Sequence, residues 1–191
     1  MQRTGLFVVI RQPFLIFIHK AKLPEKLSEY HNILALSTMT TALIAGLFYG
    51  YSCSVNVGLG NLSDTEYLSA MQSINKAILN PLFFFSFMGT LFLLPISAFL
   101  QYKAGNSASF VLLLIASVVY ATGAFGVTAL GNVPLNEALN KFNLQSALVE
   151  PIRQQRAQFE ASWNRLHTIR TVASVVSLIL AIVACLTKSE V

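Results

Sequence analysis

Charged side chains are scarce in this sequence, and their scarcity excludes an ordinary soluble domain. Only 11% of the 191 residues are Asp, Glu, Lys or Arg, whereas 54% are hydrophobic. Soluble domains carry about 25% charged residues. A chain with so few polar groups cannot cover a large apolar core with a water-soluble surface. The composition therefore predicts an integral membrane protein in contact with a lipid bilayer.

Cysteine and histidine are also rare, with two and three residues respectively. Cys53 and Cys185 are expected at opposite membrane surfaces, too far apart for a disulfide bond. His19 and His31 are expected on the side away from His167, so the sequence predicts no cluster of metal or haem ligands. It also lacks a glycine-rich phosphate loop, an HExxH motif and a nucleophile elbow. We therefore expect no metal and no other cofactor.

Long stretches without any charge are what the sequence does contain. A helix needs about 20 apolar residues to cross a bilayer. The four uncharged stretches are bounded by Glu29 and Asp64, Lys76 and Lys103, Lys103 and Glu137, and Arg170 and Lys188. Each can hold one crossing, and we predict crossings at residues 33–51, 81–100, 109–130 and 169–186. A soluble protein built from apolar helices is disfavoured, because too little polar sequence remains to enclose them.

The first 31 residues form a separate basic segment ahead of a predicted membrane domain at residues 32–188. Arg11 and Pro13 interrupt its apolar stretch, so it is predicted to lie at the membrane interface rather than to cross. Its basic residues favour cytoplasmic termini, although the basic residues of the whole chain divide almost evenly between the two sides. The net charge of +5 is dispersed, so anionic lipid accounts for it and no nucleic-acid partner is expected.

The connections between the crossings are unequal. Residues 101–108 form a tight turn, whereas residues 52–80 and 131–167 are long and lie at the same end of the bundle. Both long connections have helical patterns, and Ser63 followed by Glu66 predicts a capping box. The predicted fold is therefore all-α: an integral membrane four-helix bundle with two helical extramembrane connections on one side.

Small residues recur at every fourth position of the first crossing, at Thr38, Ala42, Gly46 and Gly50. Such a face lets a neighbouring helix approach closely. We predict that this face packs within the bundle. The alternative is a face kept small to leave room for a ligand.

A stripe of polar residues enters the last crossing. On a helical wheel its members fall within roughly 120° of one another: Trp163, Asn164, His167, Arg170, Thr171 and Ser174. His167, Arg170 and Asn164 are candidate catalytic residues, since they offer a base, a fixed cation and a neutral amide. The alternative is that Arg170 extends to lipid headgroups while His167 and Trp163 lie at the interface.

Asparagines supply a second signal, because many of them lie in or beside the two long connections. The candidate ligand-binding amides are Asn75, Asn80, Asn132 and Asn136. Asn132 and Asn136 flank a proline that fixes the backbone and can direct both amides into one space. Capping is the alternative, and Asn80 before Pro81 suits a turn at the start of a helix.

Four strings in the chain resemble the anthrone oxygenase (DUF1772) family over residues 33–186. The strings are Gly46-Leu-Phe-Tyr49-Gly50, Met71-x-x-Ile74-Asn75-x-x-x-x-Asn80-Pro81, Gly131-Asn-Val-Pro-Leu-Asn136 and Trp163-x-x-x-His167-x-x-Arg170-Thr171. The resemblance implies a membrane monooxygenase, an oxidoreductase that uses O2 without metal or flavin to convert the activated methylene of an anthrone to a quinone carbonyl.

This resemblance and the polar stripe together suggest roles for individual residues. His167 would remove the methylene proton, and Arg170 with Asn132 or Asn136 would stabilise the enolate. Tyr49 and Trp163 would form an aromatic wall for a flat, lipophilic ligand. The competing hypothesis is a non-enzymatic membrane protein that binds or passes a lipophilic small molecule. The oligomeric state is left open.

Overall fold

The computed structural model describes residues 25–187, which fold into helices joined by short turns. The α-helices are α1 (Glu25–Gly50), α2 (Asn56–Gly60), α3 (Asp64–Ala77), α4 (Pro81–Lys103), α5 (Ser107–Val119), α6 (Val133–Lys141) and α7 (Val149–Leu186). Wider π-helical turns at Tyr51–Val55, Tyr120–Gly126 and Thr128–Asn132 join α1 to α2 and α5 to α6. Residues 1–24 of the predicted interfacial segment lie outside the described residues.

Four long apolar helices form the membrane bundle. They are Glu29–Gly60, Pro81–Lys103, Ser107–Lys141 and Val149–Leu186. Helix α1 packs against α4 and α7, and α5 packs against the same two helices. Their shared core includes Ile44, Phe87, Leu94, Leu113 and Tyr120, all buried. The predicted all-α membrane bundle is confirmed.

The helices run beyond the predicted crossings. The first continues to Gly60, the third continues to Lys141, and the fourth begins at Val149. Hydropathy locates the part of a helix that contacts lipid, whereas the backbone hydrogen bonds continue into water when a neighbouring element covers the apolar face. The two long connections are therefore largely extensions of the membrane helices, with α3 as an additional helix between α2 and α4.

The extensions and α3 form a cap at one end of the bundle. The cap core includes Tyr67, Leu68, Met71, Leu139 and Phe159, all buried. The predicted capping box is present, because the Ser63 side chain accepts from the Glu66 backbone N–H and Glu66 accepts from the Ser63 N–H. The Ser63 hydroxyl and backbone N–H both donate to the Glu66 carboxylate and lower its pKa. Burial raises the pKa of Tyr67.

Arg156 of α7 forms ion pairs and hydrogen bonds that connect parts of the cap. Its Nη1 lies 3.0 Å from Asp64 Oδ1 and its Nε lies 2.9 Å from Glu160 Oε2. The same guanidinium donates to the carbonyl oxygens of Leu62 and Gly60. It therefore joins the turn before α3 to the extramembrane half of α7.

The small-residue face of α1 is not where the bundle packs, and that prediction is wrong. Gly46 and Gly50 are exposed, and a Cβ atom added to either would meet nothing within 4 Å. The adjacent face of α1 makes the contacts instead, through Ser37, Thr41, Ala45 and Phe48, all buried. A spacing of four residues drifts around a helix of 3.6 residues per turn, so neighbouring faces are hard to separate by pattern.

Close helix approach occurs in the third membrane helix. A Cβ placed on Gly123 would lie 2.6 Å from the Cβ of Ala173 in α7. Real side chains do not come so close, so glycine is required there for the two backbones to approach. The constraint at Gly131 is weaker, because a Cβ there would lie 2.8 Å from Cδ1 of Leu166, the end of a flexible side chain that can move.

Candidate active site

A cavity of about 310 Å³ lies where the cap meets the bundle. Its wall is mainly apolar and aromatic, with contributions from α1, α3, α4, α6 and α7. Five of the sequence-predicted site residues line it: Asn75, Asn136, Trp163, His167 and Arg170. The two long connections therefore bring polar residues to the start of the last crossing.

The polar stripe of α7 faces inward. Trp163, His167 and Arg170 are 3%, 2% and 8% exposed, and Thr171 and Ser174 are also buried. These values overturn the alternative in which Arg170 reaches lipid headgroups and His167 lies at the interface. Because residues three and four apart share a helix face, the indole, imidazole and guanidinium are stacked on successive turns.

Arg170 and His167 form a direct hydrogen bond. The guanidinium Nε donates to His167 Nδ1 over 3.0 Å. A guanidinium has no acceptor atom, so Nδ1 must be unprotonated and the neutral imidazole must carry its hydrogen on Nε2. The Nε2 atom lies 2.9 Å from Ser52 Oγ, and Ser52 donates to the Phe48 carbonyl oxygen. A single chain of donors thus runs from Arg170 through His167 and Ser52 to the backbone of α1.

Aromatic rings enclose the guanidinium. The Arg170 Cζ atom lies 4.5 Å from the centroid of the Phe48 ring and 5.0 Å from that of Trp163. Within residues 25–187, no Asp or Glu lies within ion-pair distance of this guanidinium. Apart from its bond to His167, Arg170 donates no hydrogen bond from its side chain to another side chain or backbone atom in this part of the chain. Its remaining donors are available to a ligand.

The predicted amides have different surroundings. Asn136 Oδ1 accepts a hydrogen bond from Trp163 Nε1 over 2.9 Å, and Asn132 Nδ2 lies 3.4 Å from the Trp163 carbonyl oxygen. Both therefore position Trp163, and of the two Asn136 lines the cavity. Asn75 also lines the cavity, and its buried Nδ2 has no partner in the described residues.

Besides Asn132, three candidate residues do not line the cavity. Tyr49 is 61% exposed on the outside of the bundle, because it lies on the same side of α1 as the glycine face. Asn80 caps α4, since its side chain accepts from Phe83 N–H and donates to the Ala77 carbonyl oxygen. Asn164 is half-buried beside the stripe, and its Oδ1 atom has no partner among residues 25–187.

The aromatic wall is formed by Tyr51 rather than Tyr49. The Tyr51 ring lies 4.8 Å from His167 and 5.1 Å from Trp163, measured between centroids. The sequence reasoning missed Phe48, Tyr51 and Ser52, which share one face at spacings of three and four residues. If a site lies at the end of the first crossing, this spacing predicts that all three side chains face it. The π-helical turn that begins at Tyr51 is a feature often found at functional sites.

Charged groups are few around the cavity. Besides Arg170, the described residues that line it include Lys76 and Glu137, which are exposed at its rim. In the portion of the chain from residue 25 to residue 187, no three His, Cys, Asp or Glu side chains are grouped to hold a metal ion.

The fold and the cavity define a class: a polytopic membrane protein with a largely apolar cavity that is lined by a buried arginine. The anthrone oxygenase family model matches residues 83–180, which is just over half of the chain. The chain belongs to the anthrone oxygenase family. The matched region holds Asn132, Asn136, Trp163, His167 and Arg170. No curated protein and no solved structure matches the chain.

Proposed function

We propose that the protein is a membrane monooxygenase that oxidises the activated methylene of an anthrone, or of a similar aromatic compound, to a quinone carbonyl. The observation that supports this most directly is the buried guanidinium of Arg170 in an aromatic cavity, one turn from the His167 imidazole. Family membership agrees with this class of reaction.

The reaction is a balanced four-electron process. A base removes one methylene proton, the carbanion transfers electrons to O2 and bonds to one of its oxygen atoms, and the peroxide takes the proton back from the protonated base. The resulting hydroperoxide loses water as the second C–H bond and the O–O bond break, so one oxygen atom becomes the new carbonyl and the other becomes water. The substrate supplies all the electrons, so no separate reductant is required.

Arg170 is the proposed oxyanion-binding group. Removing a methylene proton next to a conjugated carbonyl places negative charge on that carbonyl oxygen. A preorganised cation in a site without bulk water stabilises such charge by several kcal/mol, about 3 kcal/mol for a single good donor. The Phe48 and Trp163 rings hold the guanidinium in place, and Asn75 and Asn136 offer amides in the same cavity.

His167 is the proposed base, and the hydrogen bonds set a condition on this role. In the observed arrangement its Nδ1 lone pair accepts from Arg170 and its Nε2 carries the hydrogen. The imidazole can take a proton at Nδ1 once the carbonyl oxygen of a bound substrate has drawn the guanidinium away. Substrate binding and activation of the base are then the same event.

Oxygen uptake by the purified protein with a panel of anthrones and hydroquinones tests this proposal. Uptake with at least one anthrone, matched by formation of its quinone, is the expected result. Tyr51→Ala should reduce uptake strongly because Tyr51 lines the cavity, whereas Tyr49→Ala on the outer surface should not. Inactivity towards the whole panel with ligand binding retained would instead identify a non-enzymatic protein that binds a lipophilic molecule, the alternative that the apolar cavity also supports.

The orientation in the membrane is a further part of the proposal. The basic residues ahead of α1 favour cytoplasmic termini. The helix order then puts the cap and the cavity on the opposite side of the membrane, together with the turn before α3.

A further inference from the structure

The cavity contains donors that have no acceptor. The Nη atoms of Arg170 have no hydrogen bond to any side chain or backbone group in residues 25–187, and Asn75 has a buried Nδ2 atom without a partner in the same part of the chain. Both residues line the cavity. An isolated buried charge is costly, and its cost is offset when an opposite charge with hydrogen-bonding oxygens is brought to it. An oxyanion is the group that suits this charge and these donors best.

The size and shape of the wall restrict what can carry this oxyanion. A volume of about 310 Å³ lies at the lower end of the range of small-molecule sites. It is too small for a phospholipid with two acyl chains. The rings of Phe48, Tyr51, Phe83, Phe87 and Trp163 line much of the wall, so a flat aromatic body fits the surroundings better than a flexible chain.

The exposed residues at the rim of the cavity indicate the side from which a ligand enters. Leu47, Leu79 and Phe84 line the cavity and are also 42%, 64% and 45% exposed. They belong to the first two membrane helices and to the turn that leads into α4, where the second crossing begins. Lys76 and Glu137 form the polar part of the rim, and their opposite charges leave it neutral. An apolar rim at the start of a crossing faces lipid.

We infer that the cavity is a binding site for flat aromatic monoanions, carboxylates or phenolates, which reach Arg170 from the bilayer and not from the aqueous phase. This inference rests on the proposed function and extends it by naming the charge state and the source of the ligand. It concerns binding alone, so it can be tested in a protein that shows no turnover.

Binding to the cavity can be measured by the fluorescence of Trp163. This residue is the only tryptophan in the chain, and it lies against the Arg170 guanidinium. Its emission overlaps the absorption of anthracene, so the part of the energy transfer that saturates as probe is added reports an anthracene probe in the cavity, whereas probe dissolved in the lipid gives transfer that does not saturate. The probes are 9-anthracenecarboxylate and its neutral counterpart 9-anthracenemethanol, added to the purified full chain in phosphatidylcholine vesicles.

The carboxylate should bind more tightly than the alcohol by about 10-fold or more, the difference expected for hydrogen bonds to a charged group. Arg170→Gln should abolish this preference, whereas Arg170→Lys should retain part of it. The comparison of the two probes in the unaltered protein remains decisive if a variant does not fold. Equal affinity of the two probes for the unaltered protein would overturn the anion assignment, whether or not oxygen uptake is observed.

The route of access is tested by association rates, because an equilibrium affinity does not depend on the path by which the probe enters. Leu79→Glu should slow association several-fold, and Leu82→Glu, an exposed neighbour that does not line the cavity, should not. Equal association rates for the two variants would overturn access from the bilayer.

Discussion

The Nε–H group of Arg170 points at Nδ1 of His167 over 3.0 Å, so the buried cation of the cavity occupies the lone pair of the imidazole beside it. This pairing makes the two residues interdependent. In the proposed mechanism, His167 orients the guanidinium towards the cavity, and Arg170 keeps the histidine from accepting a proton until a ligand competes for the guanidinium.

Substitution of His167 should separate its two roles. In His167→Asn the amide oxygen can replace Nδ1 as the acceptor for Arg170, but it cannot remove a proton. We expect both His167→Asn and His167→Ala to lose turnover by about 100-fold or more, the usual contribution of a general base. Only His167→Ala should also weaken binding of 9-anthracenecarboxylate. Wild-type turnover in His167→Asn would assign the histidine to positioning alone.

Two glycine-to-alanine substitutions should have opposite effects on stability. Gly123→Ala places a methyl group 2.6 Å from Ala173 Cβ, and overpacking of this kind costs about 1–3 kcal/mol. Gly46→Ala meets nothing within 4 Å and should stabilise its helix by up to about 1 kcal/mol. Thermal unfolding in detergent, followed by Trp163 fluorescence, compares them. A more stable Gly123→Ala would contradict the close packing of these helices.

Loss of Arg156 should loosen the cap without dispersing the membrane bundle. Its ion pairs with Asp64 and Glu160 are partly shielded, and its side chain is 14% exposed. We expect Arg156→Met to lower the free energy of unfolding by about 1–3 kcal/mol. The matched control is Arg153→Met, because Arg153 forms a pair with Glu150 that is 69% exposed on the arginine side and should contribute less than about 1 kcal/mol. Equal losses of unfolding free energy in the two variants would show that the Arg156 contacts do not stabilise the cap.

The orientation can be read from the reactivity of introduced cysteines. With Cys53 and Cys185 replaced by serine, Gln145→Cys places a thiol in the cap, and Lys103→Cys places one at the opposite end of the bundle. A membrane-impermeant maleimide added to intact cells should label the Gln145→Cys variant and leave the Lys103→Cys variant unlabelled until the membrane is opened. The reverse pattern would place the cap in the cytoplasm.

Hydropathy and charge spacing were sufficient to predict the bundle and the end at which the cap lies, because lipid imposes a requirement that every crossing must meet. The common face of Arg170 and His167 was also predictable, since their spacing on one helix determines it. The interfacial alternative failed because the cap covers the end of the bundle at this point and buries both side chains.

Contacts between distant segments were harder to predict. The choice of Tyr49 over Tyr51 depended on which face of α1 meets α7, and small residues indicated the wrong face. Asn80 has the same residue type as Asn75, but only the latter turns into the cavity while the former caps α4. Such distinctions are set by tertiary packing, which a single sequence does not encode locally.

The most direct test of the proposed chemistry is the fate of oxygen during turnover of an anthrone under 18O2. We expect the new quinone carbonyl to carry one labelled atom and the other labelled atom to appear in water. Arg170→Gln should lower the rate of quinone formation by about 100-fold or more. A quinone formed at the same rate by Arg170→Gln and by the unaltered protein, or one whose new oxygen comes from water, would contradict this mechanism.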